Sequence, residues 1–159
     1  MKPAAVEEKS KKSAKRYRMP RVSQLTLARV LLVDDDPTAR LTLQTVLEAG
    51  GYHVDAAASA AEAVGKMDRR SYELVLSDLQ MESPEAGLQV LAHARMMEYQ
   101  PATAIITSYH QGNLKPVRRD RDLLIEPQDV PDLLTKVADL ISGRATRRVE
   151  RELKLAGVS

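Results

Sequence analysis

From residue 29 onward, short unbroken apolar runs alternate with stretches whose apolar residues recur at helical spacing. Arg29–Val33 predicts a first strand. Asp36 then caps a helix with Pro37 in its first position, where the missing N–H removes no bond. Leu43, Val46 and Leu47 form the apolar face of that helix, and Gly50-Gly51 ends it. Tyr52–Ala56 predicts a second strand, and Ser59 with Glu62 makes a capping box for a second helix reaching about Arg70. A third strand is expected over Glu73–Ser77, a loop over Met81–Ala86 and a third helix over 87–98. Thr103–Ile106 and Asp122–Ile125 read as the fourth and fifth strands. The last helix, about 128–142, is the plainest. Val130, Leu133, Leu134, Val137, Leu140 and Ile141 fall on one stripe. Between the last two strands, HQGNLKPVRRDRD (110–122) has too few apolar residues for more than a short or irregular helix.

The strands are apolar without two-residue alternation, as strands buried on both faces are. Five strands alternating with helices predict a doubly wound α/β domain, a parallel sheet with helices on both faces.

The 159 residues and their 43% apolar content suit one domain with tails. Residues 1–25 carry a net +6, residues 26–142 a net −7 and residues 143–159 a net +3. The expected division is a basic, disordered N-terminal tail (1–25), the domain (26–142) and a basic C-terminal tail (143–159). ATRRVERELKL (145–155) has the character of a helical continuation. An acidic domain repels phosphate backbones, so affinity for nucleic acid or an anionic surface is expected only through the tails. Cysteine is absent, which excludes disulfides and thiolate chemistry. No apolar run is long enough for a membrane span, and the first residues lack the apolar stretch of a secretory signal. A cytoplasmic protein is the expectation.

The candidate chemistry lies at the strand ends, where doubly wound sheets bind ligands. Strand one ends in Asp34-Asp35, strand three in Asp78, and strand four in Thr107-Ser108. If these strands are neighbours, the groups share one pocket. Carboxylates packed together repel, which raises their pKa values unless a cation joins them. An oxygen-only donor set suits Mg²⁺. His53, His93 and His110 are scattered and make no transition-metal site. A carboxylate-held metal beside a further aspartate suits phosphoryl transfer. In this reading Asp78 is the nucleophile and also a ligand of the Mg²⁺ that Asp34 and Asp35 hold, and Thr107 bonds a phosphoryl oxygen. Asp36 is left as the helix cap.

These residues resemble the receiver domain of two-component response regulators, from about Ala28 to Ile141. VLLVDDDPTAR is similar to the family's opening strand and acidic pair, ELVLSDLQM to its phosphoacceptor segment, GLQVL to the start of the next helix, and AIITSY to the strand ending in a switch Thr/Ser. The resemblance implies a flavodoxin-like sheet of order 2-1-3-4-5. It implies that a histidine kinase or phosphotransfer protein phosphorylates Asp78 with Mg²⁺ present, and that Gln80 lends its backbone carbonyl to the metal. A stand-alone receiver is the expectation, since no output domain fits in the last 17 residues, with signalling by contact with a downstream protein.

The chain departs from the family in three places. Glu126 precedes Pro127 where the family has lysine, Leu123 stands where an aromatic switch residue is usual, and MESPEAG lacks the proline expected directly after Met81. The alternative reading is therefore a degenerate receiver, an interaction module that does not respond to phosphate. Enzymatic readings fit poorly. Gln80 occupies the place where an Asp-nucleophile phosphatase has its second acid, and DDDP replaces the glycine-rich turn of a dinucleotide site.

Overall fold

The structure, a computed structural model, describes residues 28–79, 81–83, 85–106, 123–125 and 130–157, with only the backbone described at 123–125 and Val130. In chain order the elements are β1 (Arg29–Val33), α1 (Pro37–Ala49), β2 (His53–Ala57), α2 (Ala60–Arg69), β3 (Leu74–Asp78), α3 (Ala86–Met96), β4 (Ala102–Ile106), β5 (Leu123–Ile125) and α4 (Val130–Leu155). The five strands form one parallel sheet in the order β2-β1-β3-β4-β5. The expected α/β class, strand number and strand order all hold.

Successive strand side chains point to opposite faces, so each apolar strand feeds two cores. Val30 and Leu32 of β1 pack with Leu74 and Leu76 of β3 against Leu43 and Leu47 of α1 and Leu133 and Val137 of α4. Leu31 and Val33 pack with Val75 on the other face, against Ala60, Ala63 and Met67 of α2 and Ala86, Val90 and Ala94 of α3. This two-sided burial is why the strands lack alternation.

Several element ends differ from the sequence expectation. β2 starts at His53 because the Tyr52 amide is used by the turn, donating to the Leu47 carbonyl oxygen at 3.2 Å, and Gly51 makes that turn with a φ of 98°. β3 runs one residue further, since Asp78 itself pairs with Ile106. The last helix does not stop near 142: α4 includes the helical continuation and ends at Leu155. Arg144 anchors this longer helix. It is only 8% exposed, and its Nε and Nη2 donate to the carbonyl oxygens of Gln100 (3.0 Å) and Tyr99 (2.7 Å). Among the described residues no helix is long and apolar enough to cross a membrane.

Candidate metal and phosphoryl site

The register of β1 against β3 pairs Val33 with Ser77. Asp34, the residue after β1, therefore lies beside Asp78, the last residue of β3. This is the carboxyl edge of the sheet, where β1 lies between β2 and β3 and the chain direction of winding reverses. Carboxylate oxygens of Asp34, Asp35 and Asp78 all lie within 4.8 Å of one another. Asp34 and Asp78 are buried, at 1% and 4% exposure, whereas Asp35 is exposed.

Backbone bonds fix the walls of this pocket. The Asp34 amide donates to the Ala57 carbonyl oxygen (3.0 Å), and Arg40 Nη1 donates to the Asp34 carbonyl oxygen (2.8 Å). Asp34 Oδ1 accepts from the Asp36 amide at 2.9 Å, and Asp36 Oδ1 accepts from the Thr38 amide at 3.0 Å as the cap of α1. The three consecutive aspartates thus have separate surroundings: buried in the pocket, exposed at its mouth, and capping a helix. On the far wall, the Leu79 amide donates to the Ile106 carbonyl oxygen at 3.2 Å.

Burial raises the Asp34 pKa above its ordinary 3.8, and the charges of Asp35 and Asp36 push the same way. The Asp36 amide and a side-chain hydrogen bond with Asp78 oppose the rise. Two carboxyl groups bond each other only when one carries a proton. Burial and the neighbouring charges thus favour the protonated form of Asp34, and a cation in the pocket would relieve both. Oxygen-only donors, two of them buried and mutually repelling once ionised, fit a hard divalent ion such as Mg²⁺.

Of the residues expected at the site, the structure brings together Asp34, Asp35 and Asp78. Gln80, Thr107 and Glu126 lie outside the described residues. Two residues at this end had no part in the sequence reading of the chemistry. Gly87 lies under β3, where a Cβ would stand 2.6 Å from the Asp78 carbonyl oxygen. Glu82, in the loop after Asp78, bonds the first residue of α2. The glycine was visible within GLQVL, but not the contact that requires it.

A family model of the response regulator receiver domain matches residues 30–119. The transcriptional regulatory protein GlrR of Escherichia coli K12 is 33% identical over 112 residues, 70% of this chain and 23% of GlrR. The response regulator receiver protein CpdR of Brucella abortus is 26% identical over 118 residues, 72% of this chain and 98% of CpdR. The response regulator TrrA of Thermotoga maritima, solved in complex with Mg²⁺-BeF, superposes with a TM-score of 0.59 at 29% identity, covering 70% of this chain and 97% of TrrA. The chain spans only 10% and 23% of the lengths of the first curated relatives that it matches. The parallel 2-1-3-4-5 sheet, the acidic pocket at its switch point and the match over 30–119 give one conclusion: the chain belongs to the response regulator receiver domain family of two-component systems.

Proposed function

We propose that this receiver accepts a phosphoryl group on Asp78 from a phosphohistidine of a histidine kinase or phosphotransfer protein, and signals by contact with a partner protein. The convergence of Asp34, Asp35 and Asp78 within 4.8 Å carries the proposal. An Asp78 oxygen attacks phosphorus. The new O–P bond forms as the P–N bond breaks, the imidazole nitrogen keeps the electron pair, and an acyl phosphate results. Asp34 and Asp35, with the Gln80 carbonyl, would hold Mg²⁺. When bound, the ion neutralises charge on the transferring group. Thr107 would donate its hydroxyl to a phosphoryl oxygen. Glu126 would stand where the family places lysine.

Intact-mass measurement of the full chain with acetyl phosphate and Mg²⁺ tests this. The expected result is one added phosphoryl group in the wild type and none in Asp78→Asn. Equal labelling of the variant, or none of the wild type, overturns the reading.

A further inference from the structure

Glu82 lies four residues after Asp78 in the β3–α3 loop. Its Oε1 accepts a hydrogen bond from the Ala60 amide at 2.9 Å, across 22 residues of chain. Ala60 opens α2, so this amide has no partner inside its helix. The other bonds of the capping box are already made. Ser59 Oγ accepts from the Glu62 amide at 3.1 Å, and Glu62 Oε2 accepts from the Ala58 amide at 3.0 Å. Glu82 therefore supplies an acceptor that α2 does not provide for itself, and the positive end of the helix favours its charge.

The residue before it is fixed as well. Met81 is buried in the core cluster that contains Ala57, Ala60 and Ala63. The loop is thus held twice in succession, by an apolar side chain and then by a carboxylate. Three residues before Ala60, the Ala57 carbonyl oxygen accepts the Asp34 amide at 3.0 Å. One short segment, 57–60, consequently grips both walls of the acidic pocket: β1 through Ala57 and the loop after Asp78 through Ala60.

We propose that Glu82 is a positioning residue whose bond to Ala60 holds the β3–α3 loop against α2 and sets the spacing of Asp78 from Asp34 and Asp35. The bond also keeps a fourth carboxylate engaged with a helix end, away from the three in the pocket. This inference rests on the reading of that pocket as a divalent-cation site.

The test is an NMR titration of the full-length, isotope-labelled chain with MgCl₂, together with hydrogen exchange at the Ala60 amide. Glu82→Ala is expected to weaken Mg²⁺ binding about tenfold, as losing a supporting contact behind metal ligands does. Glu82→Gln keeps the acceptor and should stay close to wild type. Ala60 exchange should accelerate in the alanine variant alone. Ala60→Pro removes the donor instead, at a first helical position that accepts proline. The preceding Ser59, at φ −149° and ψ 162°, has the extended conformation that proline requires of its neighbour. This variant should weaken Mg²⁺ binding as Glu82→Ala does, and the double variant should be no weaker than either single one. Unchanged Mg²⁺ affinity in Glu82→Ala with faster Ala60 exchange overturns the positioning role. Unchanged exchange shows that the bond does not exist in solution. A wild type that does not bind Mg²⁺ overturns the pocket reading and the positioning role with it, and Ala60 exchange still reports the bond separately.

Discussion

Gly87 approaches the end of β3 so closely that a Cβ on it would lie 2.6 Å from the Asp78 carbonyl oxygen, a backbone atom that cannot swing aside. The start of α3 reaches the end of β3 only because residue 87 has no side chain. Alanine in a helix is ordinarily better than glycine by roughly 1 kcal/mol. Here the clash should outweigh that gain, and Gly87→Ala is expected to lose about 1–2 kcal/mol in urea unfolding. Gly65→Ala is the control, since its Cβ would meet only the movable tip of Arg69 at 3.1 Å. That change should stabilise by roughly 0.5–1 kcal/mol. A Gly87→Ala protein as stable as wild type would mean that α3 does not press on Asp78.

Asp34 makes the apo domain sensitive to pH. Burial, with the charges of Asp35 and Asp36, raises its pKa above 3.8. The folded chain therefore keeps this proton to higher pH than the unfolded chain. Stability should fall as pH rises from 3.8 to the folded-state pKa, and the buried charge is a standing cost above that window. Asp34→Asn should remove this slope and stabilise the metal-free protein at neutral pH, because an amide can donate to Asp78 where the carboxyl pair needs a proton. Mg²⁺ should do the reverse, stabilising the wild type by about 2.7 kcal/mol at a hundredfold excess over Kd and the variant far less. Thermal unfolding across pH, with and without MgCl₂, reads both effects. A metal-free variant less stable than wild type at neutral pH contradicts the account.

Arg144 should be worth more than any exposed arginine of α4. Its two bonds to the Tyr99 and Gln100 carbonyl oxygens join the long helix to the α3–β4 connection, and Gln100 holds a φ of 40° there. Arg144→Met leaves both acceptors without this partner, at an expected cost of about 1.5–3 kcal/mol. Lysine lacks the planar fork and should restore only part of the loss. Amide exchange over 145–155 should quicken in the methionine variant, because beyond Arg144 the helix is exposed through Leu155. An unaltered exchange pattern would show that Arg144 does not anchor the extension, leaving the bond from Arg151 to the Gln100 side chain to hold it.

The features that could be read from the sequence are those with a local physical signature. Apolar runs such as RVLLV revealed strands buried on two faces, and Asp36-Pro37 and the Ser59–Glu62 box marked helix starts that the structure reproduces. Strand ends could be placed only to within a residue, because pairing decides them: Asp78 belongs to β3 through its neighbour Ile106 on β4. The full length of α4 could not be fixed, since its anchor is one buried arginine rather than an apolar stripe. The acidic pocket was visible because strand ends and strand order bring its acids together. The Glu82 bond was not, since its donor lies 22 residues away and no pattern links them.

The proposal that Glu126 stands where the family places lysine gives the last prediction. β5 pairs Ile125 with Ile106, and Ile106 pairs with Asp78, so β5 ends at the same edge of the sheet as Asp78. A carboxylate at position 126 facing that edge would repel an incoming phosphoryl group and could not donate a hydrogen bond to it. Glu126→Gln removes one unit of negative charge, and Glu126→Lys reverses it. Rates of Asp78 labelling by acetyl phosphate with Mg²⁺ should therefore rank Lys above Gln above Glu, with roughly tenfold between the extremes, equivalent to about 1.4 kcal/mol of barrier. If the effect is electrostatic, added salt should narrow the spread, since screening weakens both the repulsion and the attraction. Identical time courses by intact mass for all three proteins would show that residue 126 takes no part in accepting phosphate.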